Sequence, residues 1–530
     1  MLQVNATNPI RWERSSEGLR ALVVLALTGS LVWAVVGTLH WPIVGDAPLM
    51  HYVAFLLDHG RAPYTQIVDI NLPGTYALEW GAIHVLGPGA AAWRVFDLTL
   101  LAVCLAAMVW MTAARDWLAG FLAGTLFALV HLRDGPTHTG QRDLMMATML
   151  MLATACLFEA VRQSRVPEAG HGAPRVWAAG LFGLFAGAAA TIKPSGVLFA
   201  LGFGVMLWVG LRESNLDCRK HLVAALAGFA VPVVAMAVWL FRLGALGAFV
   251  ETMRGLAAYH ASLGRPWMGA LVVGSFPSVL LAVALPAVAL LVAQRAWRGW
   301  QVQVLLMGAA LGAVSYILQG KGFPYHRYPE EAFLLLLCGV LLVGGLQAVG
   351  WMRWMALAGV LLGALWLATN SAWIACHYDW RNQEFNRALE GDLTRLQGLS
   401  AVDLDGRIQC VDMTSGCLNT LYNMGVVQST GYLYDCYLFQ PVQTPVSEAY
   451  RVGFWRAIED DKPAVFVVTD QECFSMARSW AQLQRWPEFA AMLQNDYVLE
   501  RQYTPPHTVG WWRKPAVPYS YRVYVRKDRP

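Results

Sequence analysis

The chain has 530 residues, 57% of them hydrophobic and only 14% charged, with a formal net charge of +4. Soluble domains carry roughly a quarter charged residues, so a chain this apolar cannot cover a soluble surface and is expected to be a polytopic membrane protein. The weak positive charge gives no basis for nucleic-acid binding, and the nine scattered cysteines show no CxxC or Cys/His zinc spacing.

A bilayer core asks for about 20 mostly apolar residues as helix. The apolar runs 21–39, 98–114, 117–130, 144–158, 176–192, 194–211, 222–241, 266–293, 301–318, 332–350 and 354–375 meet or approach this, which predicts about 11 transmembrane helices. The first run lacks a small-residue cleavage site, so it is expected to stay as a helix. Runs 176–192 and 194–211 are separated by Lys193, and Pro194 opens the second; together they exceed one crossing, so two helices are expected. Between the first two runs lies a long polar stretch, residues 40–92, with Asp46, Asp58, Asp69 and Glu79, turn formers at Pro63, Pro73 and Gly74, and aromatic residues throughout.

Eleven spans put the two ends on opposite sides. With a cytoplasmic N-terminus, the inside segments hold 13 Lys/Arg among 59 residues and the outside segments 10 among 109. The positive-inside rule therefore predicts that the long first loop and everything beyond residue 375 are extracytoplasmic. Residues 1–375 are read as the membrane domain and 376–530 as a soluble α/β domain. In the latter, 380–398 has Phe385, Leu389, Leu393 and Leu396 at helical spacing. Strands are expected at Arg407–Val411, Ala464–Thr469 and Tyr519–Val525, and helices near 447–459 and 476–494. Cys410, Cys417, Cys436 and Cys473 all fall in this domain; in an oxidising compartment one or two disulfides are expected, with connectivity left open against free buried thiols.

Four polar clusters fall on the outer face: the first loop, HLRDGPTHTGQRD (131–143), Lys193, and QGKGFPYHRYP (319–329). Ionisable residues at membrane depth are costly and are functional candidates by default. The first cluster supplies mainly carboxylates. The others supply Arg142, Lys193, Lys321, His326 and Arg327, cations suited to a phosphate whose lipid tail lies against the helices. A carboxylate facing them suits deprotonation of a hydroxyl.

The stretch Gly45-Asp46 followed by LLDHGRAPYTQIVDINLPG (56–74), together with GQRD (140–143) and KGFPYH (321–326), resembles the GT-C superfamily of polyprenyl-phosphate-sugar-dependent glycosyltransferases, in the group of protein O-mannosyltransferases and lipid A aminoarabinose transferases. The resemblance covers residues 20–375 in topology. It implies an inverting transfer from a polyprenyl-phosphate-linked sugar to an envelope glycan, lipid or protein, in a bacterial inner membrane. It implies Asp46 as the base and the lipid phosphate as leaving group. Many members carry Asp-Glu where this chain has Asp46-Ala47; the missing acid argues against a divalent metal at this pair, and no metal ligand set or other cofactor is assigned.

Each candidate has a structural alternative. Asp46 is either the base or the cap of a helix whose first turn holds Pro48. Asp69 is a second site carboxylate or a turn acid before Asn71. Asp58 and Glu79 read as structural or surface acids, and His51 as an interfacial histidine. Arg142 and Asp143 open the fourth span as site residues or as a capping and snorkelling pair. Lys193 is a phosphate ligand or an interfacial anchor. Lys321, His326 and Arg327 share a Gly/Pro/aromatic loop able to bring backbone near a ligand. Tyr64 and Tyr325, in the two aromatic motifs, complete the candidate set. The alternative function is a transporter or flippase of a lipid-linked or small polar solute; a scaffold whose tail is the working part is a third. Against transport, no internal repeat is evident and the polar residues gather at one face instead of the midplane.

Overall fold

The computed structural model describes residues 14–162, 175–379, 383–400, 403–460, 462–474, 477–506, 514–515 and 517–528. Its helices begin with α1 (Arg14–Thr38), followed by α2 (Ala47–Asp58) and α3 (Pro73–Leu86), which fold the first loop, then α4 (Ala90–Thr112), α5 (Trp117–Asp134) and α6 (Arg142–Val161). Next come α7 (Val176–Ile192), α8 (Gly196–Glu213), α9 (Cys218–Arg242), α10 (Leu246–Thr252), α11 (Ala258–Ser262), α12 (Met268–Gly274) and α13 (Leu281–Ala293). The membrane portion ends with α14 (Trp300–Gln319), α15 (Tyr328–Leu346) and α16 (Trp351–His377).

Each of the eleven predicted runs falls mainly in helix. Among the described residues nine helical stretches are long and apolar enough to cross a membrane; α7 is a shorter apolar helix, and α5 is not among the nine. The last turn of α5 carries His131, Arg133 and Asp134, which lowers its mean hydropathy. The 266–293 run is interrupted between α12 and α13 around Pro277. Lys193 is extended (φ −141°, ψ 141°), which separates α7 from α8.

The first loop is more ordered than its polar composition suggests. Proline in the first turn opens both α2 and α3, where its missing N–H costs nothing. Gly45, at φ +73°, makes the turn into α2; a Cβ there would meet the Thr137 carbonyl oxygen at 2.7 Å. Only glycine allows this approach of the first loop to the 131–143 segment.

The C-terminal portion adds β1 (Tyr378–Asp379), α17 (Glu384–Ser400), β2 (Ile408–Val411), α18 (Cys417–Met424), α19 (Pro445–Asp460), β3 (Val465–Thr469), α20 (Pro487–Asp496), β4 (Tyr497–Tyr503), β5 (Lys514–Pro515) and β6 (Tyr521–Arg526). Its main sheet has the order β2-β3-β6-β4, with β2 and β3 parallel and the other pairs antiparallel. The expected strands match β2, β3 and β6. Edge strand β4 was not anticipated, because its Glu500-Arg501-Gln502 core hides the apolar alternation. The expected 476–494 helix is split by Pro487 into a 3₁₀ turn and α20, and its first residue lies outside the described residues. So do 380–382 at the start of the helix realised as α17, whose predicted apolar face is buried.

The first loop and this C-terminal portion share one apolar core. Leu49, Tyr52, Val53 and Leu56 of α2 pack with Leu389 and Leu393 of α17, Leu418 and Leu421 of α18, and Val465 and Val523 of the sheet. The Tyr52 hydroxyl donates to the Val426 carbonyl (3.0 Å) and accepts from the Gln428 amide (2.7 Å). The Val68 amide donates to the Gly431 carbonyl at 2.8 Å. Two disulfides, Cys410–Cys417 and Cys436–Cys473, complete the pairing that the sequence left open.

Candidate active site

A cavity of about 290 Å³ lies where the first loop, the N-terminal end of α6, the C-terminal ends of α7 and α14, the α10–α11 segment and the C-terminal portion meet. Asp46, Asp69, Arg142, Lys193, Lys321, Tyr325 and His326 line it, seven of the ten predicted site residues.

Asp46 occupies the N-cap position of α2, but its carboxylate makes no cap hydrogen bond. Oδ2 instead accepts from Arg142 (2.6 Å), Tyr325 (3.4 Å) and Gln141 (3.5 Å). Oδ1 receives no hydrogen bond among the described residues, and the side chain is 31% exposed. The capping alternative is therefore not realised in the side chain. Arg142 forks to Asn71 Oδ1 with its second nitrogen. Asn71 donates from its amide nitrogen to Asp69 Oδ2 (2.7 Å), which also accepts from the Asn71 backbone (3.3 Å) and the Tyr76 hydroxyl (2.6 Å). Asp69 thus closes its own turn and, through Asn71, orients Arg142 and Asp46. The turn-acid alternative for Asp69 is realised, and the residue also lines the cavity.

Lys193 Nζ donates to Asp143 Oδ2 and Gln319 Oε1, each at 2.5 Å. Gln319 returns a donor to Asp143 Oδ1 at 3.3 Å. Asp143 is fully buried and does not line the cavity; it holds Lys193 in place. Lys321 donates to the carbonyls of His260 (2.5 Å) and Leu263 and lies 4.0 Å from the centre of the Phe474 ring. An ammonium has three donors, so one is left for the cavity. Burial, then the nearby Arg265, pulls the Lys321 ammonium down to about 8. His326 is 6% exposed, and its Nδ1 has no partner among the described residues.

Three predicted residues stand outside the cavity lining. Arg327 is turned away, donating to Glu331 (3.2 Å) and the Gly274 carbonyl (3.0 Å) over the Tyr316 ring. Tyr64, at φ +65°, donates to the Asn71 carbonyl at 2.5 Å and fixes the loop. Asp143 is the third. Asp58 is a surface acid that accepts from Trp80 (2.7 Å). His51 and Glu79 are not interfacial or exposed: each is 1% exposed, with His51 edge-on to Trp93. Burial pushes His51 down to about 4 and Glu79 well above the usual carboxylate range. Among the described residues no three His, Cys, Asp or Glu side chains gather as a metal ligand set.

Sequence reasoning passed over several contributors. Asn71, Gln141 and Gln319 connect the charged groups, yet amides carry no signal of their own. Met253 and Ala257 come from a π-helical turn, Met253–Ala257, with no sequence signature. His260 follows it; burial, then Lys321 and Arg142, hold it down to about 3. Tyr434, Tyr437 and Phe474 come from the C-terminal portion. Below the cavity, buried Asp97 accepts from Arg94 and the Gly140 amide (2.7 Å) and contacts His131 at 2.9 Å, which fixes the 131–143 segment. The charges of Arg94 and Asp97, hidden at the margin of an apolar run, were the available clue.

No protein-family profile matches the chain, and no curated protein matches it in sequence. Among solved structures, ArnT from Cupriavidus metallidurans, bound to undecaprenyl phosphate, matches with a TM-score of 0.57 at 14% identity, over 95% of this chain and 98% of that one. Its apo state gives 0.58, also at 14% identity, over 95% and 97%. The Archaeoglobus fulgidus oligosaccharyltransferase AglB, in complex with an inhibitory peptide and a dolichol-phosphate, gives 0.51 at 11% identity, over 90% of this chain and 73% of that one. The helical order, the folded first loop and the C-terminal sheet portion of this multi-pass membrane protein therefore form the GT-C fold shared with ArnT and AglB.

Proposed function

We propose that the protein is an inverting membrane glycosyltransferase that moves a sugar from a polyprenyl-phosphate carrier to a cell-envelope acceptor. The observation that carries this reading is the cavity, which gathers Asp46 and four basic residues, Arg142, Lys193, Lys321 and His326, from four separated segments of an apolar bundle. The similar ArnT and AglB structures were determined with undecaprenyl phosphate and dolichol-phosphate, ligands of the same lipid-phosphate class.

Asp46 Oδ1 takes the proton of an acceptor hydroxyl as that oxygen attacks the anomeric carbon. The bond from that carbon to the phosphate oxygen breaks on the opposite face, giving inversion. The departing polyprenyl phosphate keeps the electron pair, and the Lys321 ammonium, the Lys193 ammonium and the open His326 nitrogen meet its charge. Asp69 acts as a positioning residue through Asn71, and no step needs a metal. The clustering of the first loop, the 131–143 segment, Lys193, the 319–329 loop and the C-terminal portion at one end of the bundle fits an extracytoplasmic site in a bacterial inner membrane with a cytoplasmic N-terminus.

The direct test is transfer from a radiolabelled polyprenyl-phosphate sugar by purified protein. Asp46→Asn is expected to lower turnover by about 10²- to 10⁴-fold, the usual worth of a general base. Wild-type turnover in Asp46→Asn would remove Asp46 as the base; solute flux without any sugar transfer by the wild type would remove the transferase.

A further inference from the structure

The C-terminal portion puts aromatic side chains into the cavity wall, beside Lys321. Tyr434 and Tyr437 belong to one turn, and Phe474 to another; the Cys436–Cys473 disulfide ties the two together. The wall is braced by its neighbours. Tyr437 Oη pairs with His260 Nδ1 at 2.8 Å, and the Tyr450 hydroxyl donates to the Tyr434 carbonyl at 2.8 Å. Phe474, at φ +52°, carries the Lys321 ammonium on its ring. The Tyr434 and Tyr437 rings are 5.5 Å apart, and the His260 ring lies 5.1 Å from Phe474. Tyr434 Oη makes no hydrogen bond among the described residues. Burial, then the carboxylates of Asp46 and Asp435, push its phenol well up, so it stays a donor.

We propose that this disulfide-tied wall receives a sugar ring of the acceptor, so that the acceptor is a glycan hydroxyl and not a serine or threonine of a protein. The inference rests on the transferase reading and names its substrate class. A pyranose has a face of C–H bonds and a rim of hydroxyls. The C–H face suits ring surfaces such as Phe474 and Tyr437, and the rim suits the phenol of Tyr434. An extended peptide is instead recognised through backbone hydrogen bonds. This turn has few to offer, because the carbonyls of Tyr434, Cys436 and Leu438 are already taken by Tyr450, Gln440 and Arg451. A space of about 290 Å³ also suits a ring better than a peptide strand. The wall is assigned to the acceptor because it lines the same cavity as Asp46, which would take the acceptor proton; Lys321, seated on Phe474, marks where the wall meets the groups that would hold the phosphate.

The test is saturation-transfer NMR on the full chain in lipid nanodiscs, with a panel of methyl hexopyranosides and a Ser/Thr-containing peptide as probes. Irradiating the protein aromatics is expected to transfer to glycoside ring protons and not to the peptide. Phe474→Leu is expected to weaken glycoside binding about fivefold, and Phe474→Trp to restore it, the scale of one aromatic contact. Tyr434→Phe, nearly isosteric, tests the hydroxyl if Phe474→Leu does not fold. Absence of transfer to every glycoside, equal transfer to the peptide, or binding unchanged in both Phe474→Leu and Tyr434→Phe overturns the proposal. Because this readout needs no turnover, intact glycoside binding alongside a turnover assay without sugar transfer would sink only the transferase reading.

Discussion

The Arg142 guanidinium donates to the Asp46 carboxylate at 2.6 Å, joining the first turn of α6 to the first turn of α2 across 96 residues. The same guanidinium reaches Asn71 with its other nitrogen. One fork therefore sets the orientation of the proposed base and fastens it to the Asp69 turn. Lysine keeps the charge but is a point donor and cannot hold both partners in this planar geometry. Arg142→Lys is expected to lower turnover by about tenfold or more, the cost of misorienting a catalytic group, with a smaller effect on the lipid-phosphate dissociation constant. Steady-state turnover beside a binding isotherm for polyprenyl phosphate checks this; equal turnover in Arg142→Lys would show that charge alone suffices.

Lys193 and Asp143 form a second, more deeply buried pair, and they are expected to differ from the first in what they do. Asp143 is fully buried, and Lys193 side-chain exposure is 14%. Removing one member leaves a buried charge uncompensated, which costs about 3–5 kcal/mol. Lys193→Met alone is expected to be strongly destabilised. Adding Asp143→Leu is expected to recover most of that loss without recovering lipid-phosphate binding, since the cation is still missing. Thermal unfolding in nanodiscs and phosphate binding, measured on the three variants, separate the two roles.

The pH response of Lys321 has opposite signs for stability and for binding. Its pKa falls from 10.5 to about 8 in the folded chain, so between these values the unfolded chain holds more protons and stability rises with pH. Binding of a phosphate, which needs the ammonium, is expected to weaken as pH rises through about 8. Lys321→Arg keeps its charge throughout this range and is expected to flatten the upper limb of the binding curve. A titration of polyprenyl-phosphate affinity from pH 6.5 to about 9.5 checks this; an identical decline in both proteins would place the titrating group elsewhere.

The apolar helices and the charged residues that line the cavity were legible because apolar run length and stray charge are strong one-dimensional signals. Lys193, isolated between two apolar runs, and Arg142, at the head of another, stood out for this reason. Arg327 shows the limit of that logic. It is as polar and as near the cavity in sequence as His326, but one residue along a 3₁₀ turn rotates a side chain by about 120°, and Glu331 was there to take it. The first loop stood out only as a long polar stretch because charged and apolar residues mix along it without a long run. Its helices are short, and α2 is packed into a long-range partner, the C-terminal core. The aromatic wall was hidden for the same reason: no local pattern announces that Tyr434 will line one cavity with Asp46, nearly four hundred residues earlier.

That long-range partner yields the most local of the predictions. Gly431 passes so close to the first loop that a Cβ on it would meet the Gln66 carbonyl oxygen at 1.9 Å and its carbon at 2.7 Å. Both obstacles are backbone, so no side-chain rotation relieves them. Beside this contact, Val68 donates to the Gly431 carbonyl at 2.8 Å, and Val68 and Tyr432 form a bridge. Val68 and Asp69 then line the cavity. Gly431→Ala should therefore push the C-terminal turn off the first loop, at a cost of about 1–3 kcal/mol for overpacking, and carry Asp69 away from Asn71 and Arg142. Faster hydrogen exchange at the Val68 amide, with membrane helices unchanged, and reduced turnover are the expected results. Unchanged Val68 protection in a folded Gly431→Ala protein would show that the loop holds its shape without the C-terminal portion.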